Sequence, residues 1–208
     1  RVGERQLALV QEITVQAETV TAAINAPIAY RGYCRASELG DVTGKIVICH
    51  GTRRPGFPSD EERAAALASA GAIGIVRIAD PGFTVEPPRW PSAYARTARI
   101  RAAAAPASPS IARFTLRADA LGAMIAGSRE NAAALIAAGS EGRPLPSFDA
   151  PARLDARFAI AHRPLISSNV IGILPGTDPA MADQAIVLTA HLDGYGHGEP
   201  VNGDGLYN

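Results

Sequence analysis

The sequence predicts a mixed architecture of strands and helices, either α+β or a layered α/β sheet, and three observations carry that expectation. An apolar run, Lys45-Ile46-Val47-Ile48-Cys49, is followed by a helix start at Ser59-Asp60-Glu61-Glu62 and then by a second apolar run from Ile73 to Ile78. Strand, helix, strand in that order is a βαβ unit, with the two strands parallel and the crossover right-handed. Alternating segments near both ends of the first 161 residues, 7 to 21 and Arg153 to Ala161, have the period of half-buried strands. A further apolar, β-branched run, Ala185 to Ala190, reads as a strand buried on both faces.

In chain order, Leu9, Ile13, Val15, Ala17 and Thr19 alternate with Thr14, Gln16 and Glu18. After Asn25-Ala26-Pro27 a short strand is expected over Ile28 to Tyr33, and Ser37 to Gly44 reads as a helical turn and loop. The stretch HGTRRPGFP from His50 is a loop, broken by Pro55, Gly56 and Pro58. Ser59 at the N-cap and Glu62 three residues on form a capping box, and the acidic first turn suits the positive end of the helix dipole. Ala64 to Ala70 continue the helix and Gly71 stops it.

Residues 80 to 110 carry Pro81, Pro87, Pro88, Pro91, Pro106 and Pro109 and read as an irregular excursion. Trp90 and Tyr94 are expected to pin it to the core, and Arg89, Arg96, Arg99 and Arg101 to form a solvated face. From Ile111, IARFTLRADALGAMIAG is a strand leading into a helix. A second helix is expected from an N-cap at Ser128 to a stop at Gly139. Glu141 to Ala152, with Pro144, Pro146 and Pro151, reads as a linker before the strand from Arg153.

Composition narrows the function classes. A chain of 208 residues, 47% of them hydrophobic, fits one or two domains with a real core. Twenty Lys and Arg balance twenty Asp and Glu, which gives no support to nucleic acid or an anionic membrane as a partner. No apolar run reaches the roughly 18 residues of a membrane helix, so no membrane span is expected. The start at Arg1, without Met or a signal-like segment, reads as a mature form or an excised piece. Of the two cysteines, a Cys34–Cys49 bridge would close a loop of about 15 residues and stabilise by about 3 kcal/mol. The other reading, slightly favoured, is a pair of buried thiols acting as small hydrophobes.

The residues with chemistry lie at the end of the Ala185 to Ala190 run, in Ala190-His191-Leu192-Asp193. Residues two apart on a strand share a face, so an imidazole and a carboxylate point the same way there. That suits a metal ligand and the acid that orients it: the Asp accepts from one ring nitrogen and leaves the other for Zn²⁺. Gly194, Gly196 and Gly198 permit a tight loop in the crevice beyond a sheet edge. An isolated H-x-D is also what a locally satisfied strand-end histidine looks like. His197 reads as a loop residue and Asp204, in Asn202-Gly203-Asp204-Gly205, as a turn residue. A phosphate-binding G-x-x-x-x-G-K-[ST], a G-x-S-x-G elbow and a C-x-x-C pair are all missing, so serine hydrolase chemistry has no local support.

Around A-H-L-D stand N-V-I-G-I-L-P-G-T-D-P before and G-x-P-V-N-G-D-x-x-Y-N after. From Ser168 to Asn208 this string resembles the entry into the catalytic domain of the zinc exopeptidases related to aminopeptidase Y, glutamate carboxypeptidase II and the transferrin receptor. The resemblance implies that His191 is a ligand of a co-catalytic zinc pair and that Asp193 holds its ring. The bridging Asp, the general-base Glu and the remaining ligands of that family follow the Y-N pair, so the chain carries one ligand and no base. An upstream set, A-Y-R-G-Y-C, L-G-D-V-T-G-K-I-V-I-C and A-G-A-I-G-I-V, resembles the protease-associated domain of the same enzymes.

Together these resemblances imply a β-sandwich-like or barrel-like protease-associated domain with flanking helices, plus the leading strands of an α/β peptidase sheet. The expected division is residues 1–24 as an N-terminal strand of the peptidase body, 25–165 as the protease-associated domain, and 166–208 as the truncated start of the catalytic domain. The implied activity is removal of residues from peptide chain ends, with two Zn²⁺ ions in the parent, a peptide or protein substrate, and a secreted or periplasmic location. The chain alone is expected to be inactive and to hold zinc weakly, since a catalytic zinc needs about three protein ligands. A different class of function stays open: a non-catalytic module for substrate access or protein interaction. A receptor branch that has lost its ligands is disfavoured by His191 and Asp193.

Overall fold

The computed structural model describes residues 1–9, 11–16, 20, 23–52, 54–79, 111–161, 164, 166, 168–191, 196–201 and 203–207. They fall into two units, Arg1–Ala159 and Ile160–Asn208.

The first unit is built on one six-stranded mixed sheet: β1 (Ile13–Val15), β2 (Ala23–Arg31), β3 (Ile46–His50), β4 (Gly74–Ile78), β5 (Ala112–Leu116) and β6 (Ser147–Arg157), in the order β1-β5-β4-β3-β2-β6. β2 to β5 are parallel neighbours, while β1 and β6 run antiparallel along the two edges. All five residues of β3 are buried, as expected of a parallel strand covered on both faces.

Side-chain alternation sorts the central strands between two cores. Ile46, Ile48, Val76 and Ile78 join Phe114 and Leu116 on one face, where the packing residues come from the turn Ala118–Ala120, α2 (Leu121–Met124) and α3 (Ala132–Ser140). Val47, Cys49 and Ile75 turn to the other face and pack on Leu67 of α1 (Asp60–Ser69). The period of two therefore places helices on opposite sides of one sheet.

The βαβ unit is as the sequence predicts. Ser59 Oγ accepts from the Glu62 N–H at 3.2 Å and Glu62 Oε2 from the Ser59 N–H at 2.7 Å, completing the capping box. β3 and β4 pair in parallel from Ile46↔Gly74 to His50↔Ile78.

Several expectations are corrected. The strand placed at Ile28 to Tyr33 begins at Ala23 and runs through Pro27, and the expected linker from Glu141 becomes strand at Ser147. Both departures meet at one irregularity: the β2–β6 register shifts between Pro27 and Ile28, from Pro27↔Arg153 to Ile28↔Ala150, leaving Pro151 in the bulge. Pro151 sits in a bulge on edge strand β6, which tolerates a residue without an N–H, and Pro27 stands just before β2 begins to pair with β3 at Ile28, where no ladder with β3 asks for its N–H. The second helix is capped by Asn131, whose Oδ1 accepts from the Ala134 N–H at 3.0 Å, and Gly139 lies inside it. His50 closes β3 rather than opening a loop.

The cysteines are bridged. The Cys34–Cys49 disulfide spans Cα atoms 5.6 Å apart, an ordinary spacing for such a bond. After β2 the chain turns through Gly32 and Cys34, both at positive φ, with the Cys34 N–H donating to the Arg31 carbonyl at 2.7 Å. The turn lays Cys34 over the neighbouring parallel strand, a proximity that spacing in sequence could not reveal. Among the described residues of the alternating stretch 7 to 21, the strand is β1, Ile13–Val15. Residues 80 to 110, with Trp90, Tyr94 and the arginines expected to form a solvated face, lie outside the described residues.

In the second unit, β7 (Gly196–Val201) and β8 (Asp204–Tyr207) form an antiparallel hairpin, and Pro179–Met181 is a single 3-10 turn. Ala185 to Ala190 is not a strand: it makes no ladder, and Ile186, Val187 and Leu188 are 94%, 78% and 92% exposed. A strand exists only with a partner to accept its backbone bonds, and none is present beside this run among the described residues.

Candidate functional site

The predicted site lies in the second unit. His191 follows the unpaired run, is exposed and belongs to neither helix nor strand. Asp193 lies outside the described residues. Without a strand over Ala185 to Ala190, the alternation that was to set imidazole and carboxylate on one face does not operate up to His191. His197 falls on β7 rather than in a loop. Asp204 opens β8, and its Oδ1 accepts from the Leu206 N–H at 2.9 Å beside Gly203 at positive φ, the geometry of a turn aspartate.

Among the described residues no three His, Cys, Asp or Glu side chains gather where they could hold a metal ion. No catalytic step through a metal follows from the described residues alone.

In the first unit the carboxyl ends of the parallel strands β3 and β4 are where an open α/β sheet would bind a ligand. The structure fills that place with protein. His50 is fully buried, with its ring edge-on to Tyr33 at 5.9 Å. Arg63, 1% exposed, donates to the Tyr33 carbonyl at 3.0 Å, to Asp60 Oδ1 at 2.8 Å and to the Thr52 carbonyl at 3.4 Å. Burial lowers the pKa of its guanidinium, with Asp60 opposing the shift. Tyr33 Oη lies 2.8 Å from the Arg143 carbonyl and 3.3 Å from that of Gly139, and Arg54 donates to the Ser140 carbonyl. A Cβ on Gly51 would meet the Ile78 carbonyl at 2.8 Å. The glycines and buried polar groups here join strand ends to α1 and α3.

A groove of about 490 Å³ lies at the sheet edges, between β1, the segment before it, and β6. Leu7, Ile13, Phe114 and Leu154 are its buried floor, and Arg1, Asp155 and Arg157 stand on its rim. The sequence offered no signal for it, because its walls come from positions about 140 residues apart. Its lining has no pair of groups set for acid–base or nucleophilic chemistry.

No family model and no curated protein matches this chain. Among solved structures it is distantly similar to an aminopeptidase from Aneurinibacillus sp. strain AM-1, at 16% identity and a TM-score of 0.40. The match covers 61% of this chain and 27% of that enzyme. A likeness that shallow decides neither fold nor activity. No helix among the described residues is long and apolar enough to cross a membrane.

Proposed function

We propose that this chain is the N-terminal portion of a zinc-dependent exopeptidase, an aminopeptidase by class, that hydrolyses peptide bonds at chain ends. One observation carries the reading: A-H-L-D stands between N-V-I-G-I-L-P-G-T-D-P and G-x-P-V-N-G-D-x-x-Y-N, an order that resembles the entry to such a catalytic domain. In this reading His191 is one ligand of a two-zinc centre, Asp193 orients its ring, and the substrate is a peptide or protein. Residues 25–165 form the protease-associated domain, between a strand of the peptidase body at 1–24 and the start of the catalytic domain at 166–208.

Two findings support the proposal. Ile166, Val170, Ile171, Ile173, Leu174, Ile186, Val187 and Leu188 are all exposed, and so many large apolar side chains in one segment suit strands destined for burial on both faces. The buried Cys34–Cys49 disulfide suits a secreted or periplasmic protein, since such bonds persist in oxidising compartments.

The decisive experiment uses the protein that contains this chain. His191→Ala should abolish release of the terminal residue from an aminoacyl-p-nitroanilide, and Asp193→Asn should lower it through misorientation of the ring. Near-normal turnover by purified His191→Ala protein would remove the assigned role. Taken by itself, the chain suits a second reading, a non-catalytic module for substrate access or partner binding. The observation favouring it is that both apolar cores lie in the first unit, where the buried guanidinium of Arg63 is spent on holding loops together.

A further inference from the structure

We draw no further inference here: the strongest candidate, the apolar groove between edge strands β1 and β6 of the first unit, mixes Arg1 and Arg157 with Asp155 on its rim and nothing in the structure shows what covers it.

Discussion

A Cβ built on Gly139 would overlap Cε1 and Nδ1 of His50, so the last turn of α3 meets the buried ring at the end of β3 through bare backbone. Helix propensity alone would favour alanine at this interior helical position by about 1 kcal/mol. Overpacking against a buried ring costs about 1–3 kcal/mol, and the clash dominates because the ring has no exposed side to move into. Gly139→Ala should therefore lower the free energy of unfolding measured in urea. A gain in stability would show that the contact is not as tight as described.

Tyr30 presents the opposite case. Its ring is fully buried and stacks on Phe148 at 5.2 Å, while its hydroxyl has no hydrogen-bond partner among the described residues. Burial, chiefly, raises its pKa above the ordinary tyrosine range. A buried polar group without a partner costs about 1–3 kcal/mol, so Tyr30→Phe should leave stability unchanged or raise it. A loss of more than about 1 kcal/mol in chemical denaturation would reveal a partner for the hydroxyl.

The Cys34–Cys49 bridge closes a loop of 15 residues, for which chain entropy predicts about 3 kcal/mol. The double variant Cys34→Ala, Cys49→Ala should lose that much in equilibrium unfolding, and the unfolded wild-type chain should show no thiol to Ellman's reagent before reduction. Two titratable thiols in the unfolded, unreduced protein would contradict the structure.

Asp149 ties β6 to its neighbours, with Oδ1 accepting from Arg31 at 2.6 Å and Oδ2 from Lys45 at 2.7 Å. Partial burial raises its pKa, but the hydrogen bonds from Lys45 and Arg31 and their charges outweigh that and leave it below the usual carboxylate value. A depressed folded pKa contributes stability that is present above the unfolded value near 3.9 and fades as the pH falls through the folded one. The side chain is half exposed, so screening holds the effect to about 1 kcal/mol or less. Asp149→Asn should flatten the stability profile below about pH 4 while changing its slope little near neutrality. An unchanged acid limb would mean the pairs do not form in solution.

Ser59→Ala removes one half of the capping box and should cost about 1 kcal/mol. Because Glu62 Oε2 still accepts from the residue-59 N–H, Ser59→Ala combined with Glu62→Ala should cost more than either change alone.

The legible parts of the fold were the local ones. Ile46 to Cys49 and Gly74 to Ile78 were readable because strands covered on both faces need continuous apolar sequence, and Ser59 with Glu62 because a capping box is complete within four residues. Pro27 and Pro151 hid the lengths of β2 and β6, since a proline normally ends a strand; only the pairing of β2 with β6 creates the bulge that admits Pro151, and Pro27 precedes the first residue of β2 paired with β3. The cap expected at Ser128 is made instead by Asn131, three residues on, in a helix whose Leu135 packs in the first core. Of the candidate site, the motif at His191 and Asp193 was visible in sequence, whereas a metal centre needs several ligands converging from separate parts of a chain.

By itself the amino-acid sequence determined the central βαβ unit and the capped helix between its strands. These are written in consecutive residues, so backbone periodicity and local hydrogen bonds suffice to express them. Only the tertiary structure decided the Cys34–Cys49 bridge, the antiparallel edges of the sheet, the bare-backbone contact of Gly139 with His50, and the failure of Ala185 to Ala190 to become a strand. Each of those depends on which distant segment, if any, lies alongside to pack against a side chain or take up a backbone hydrogen bond.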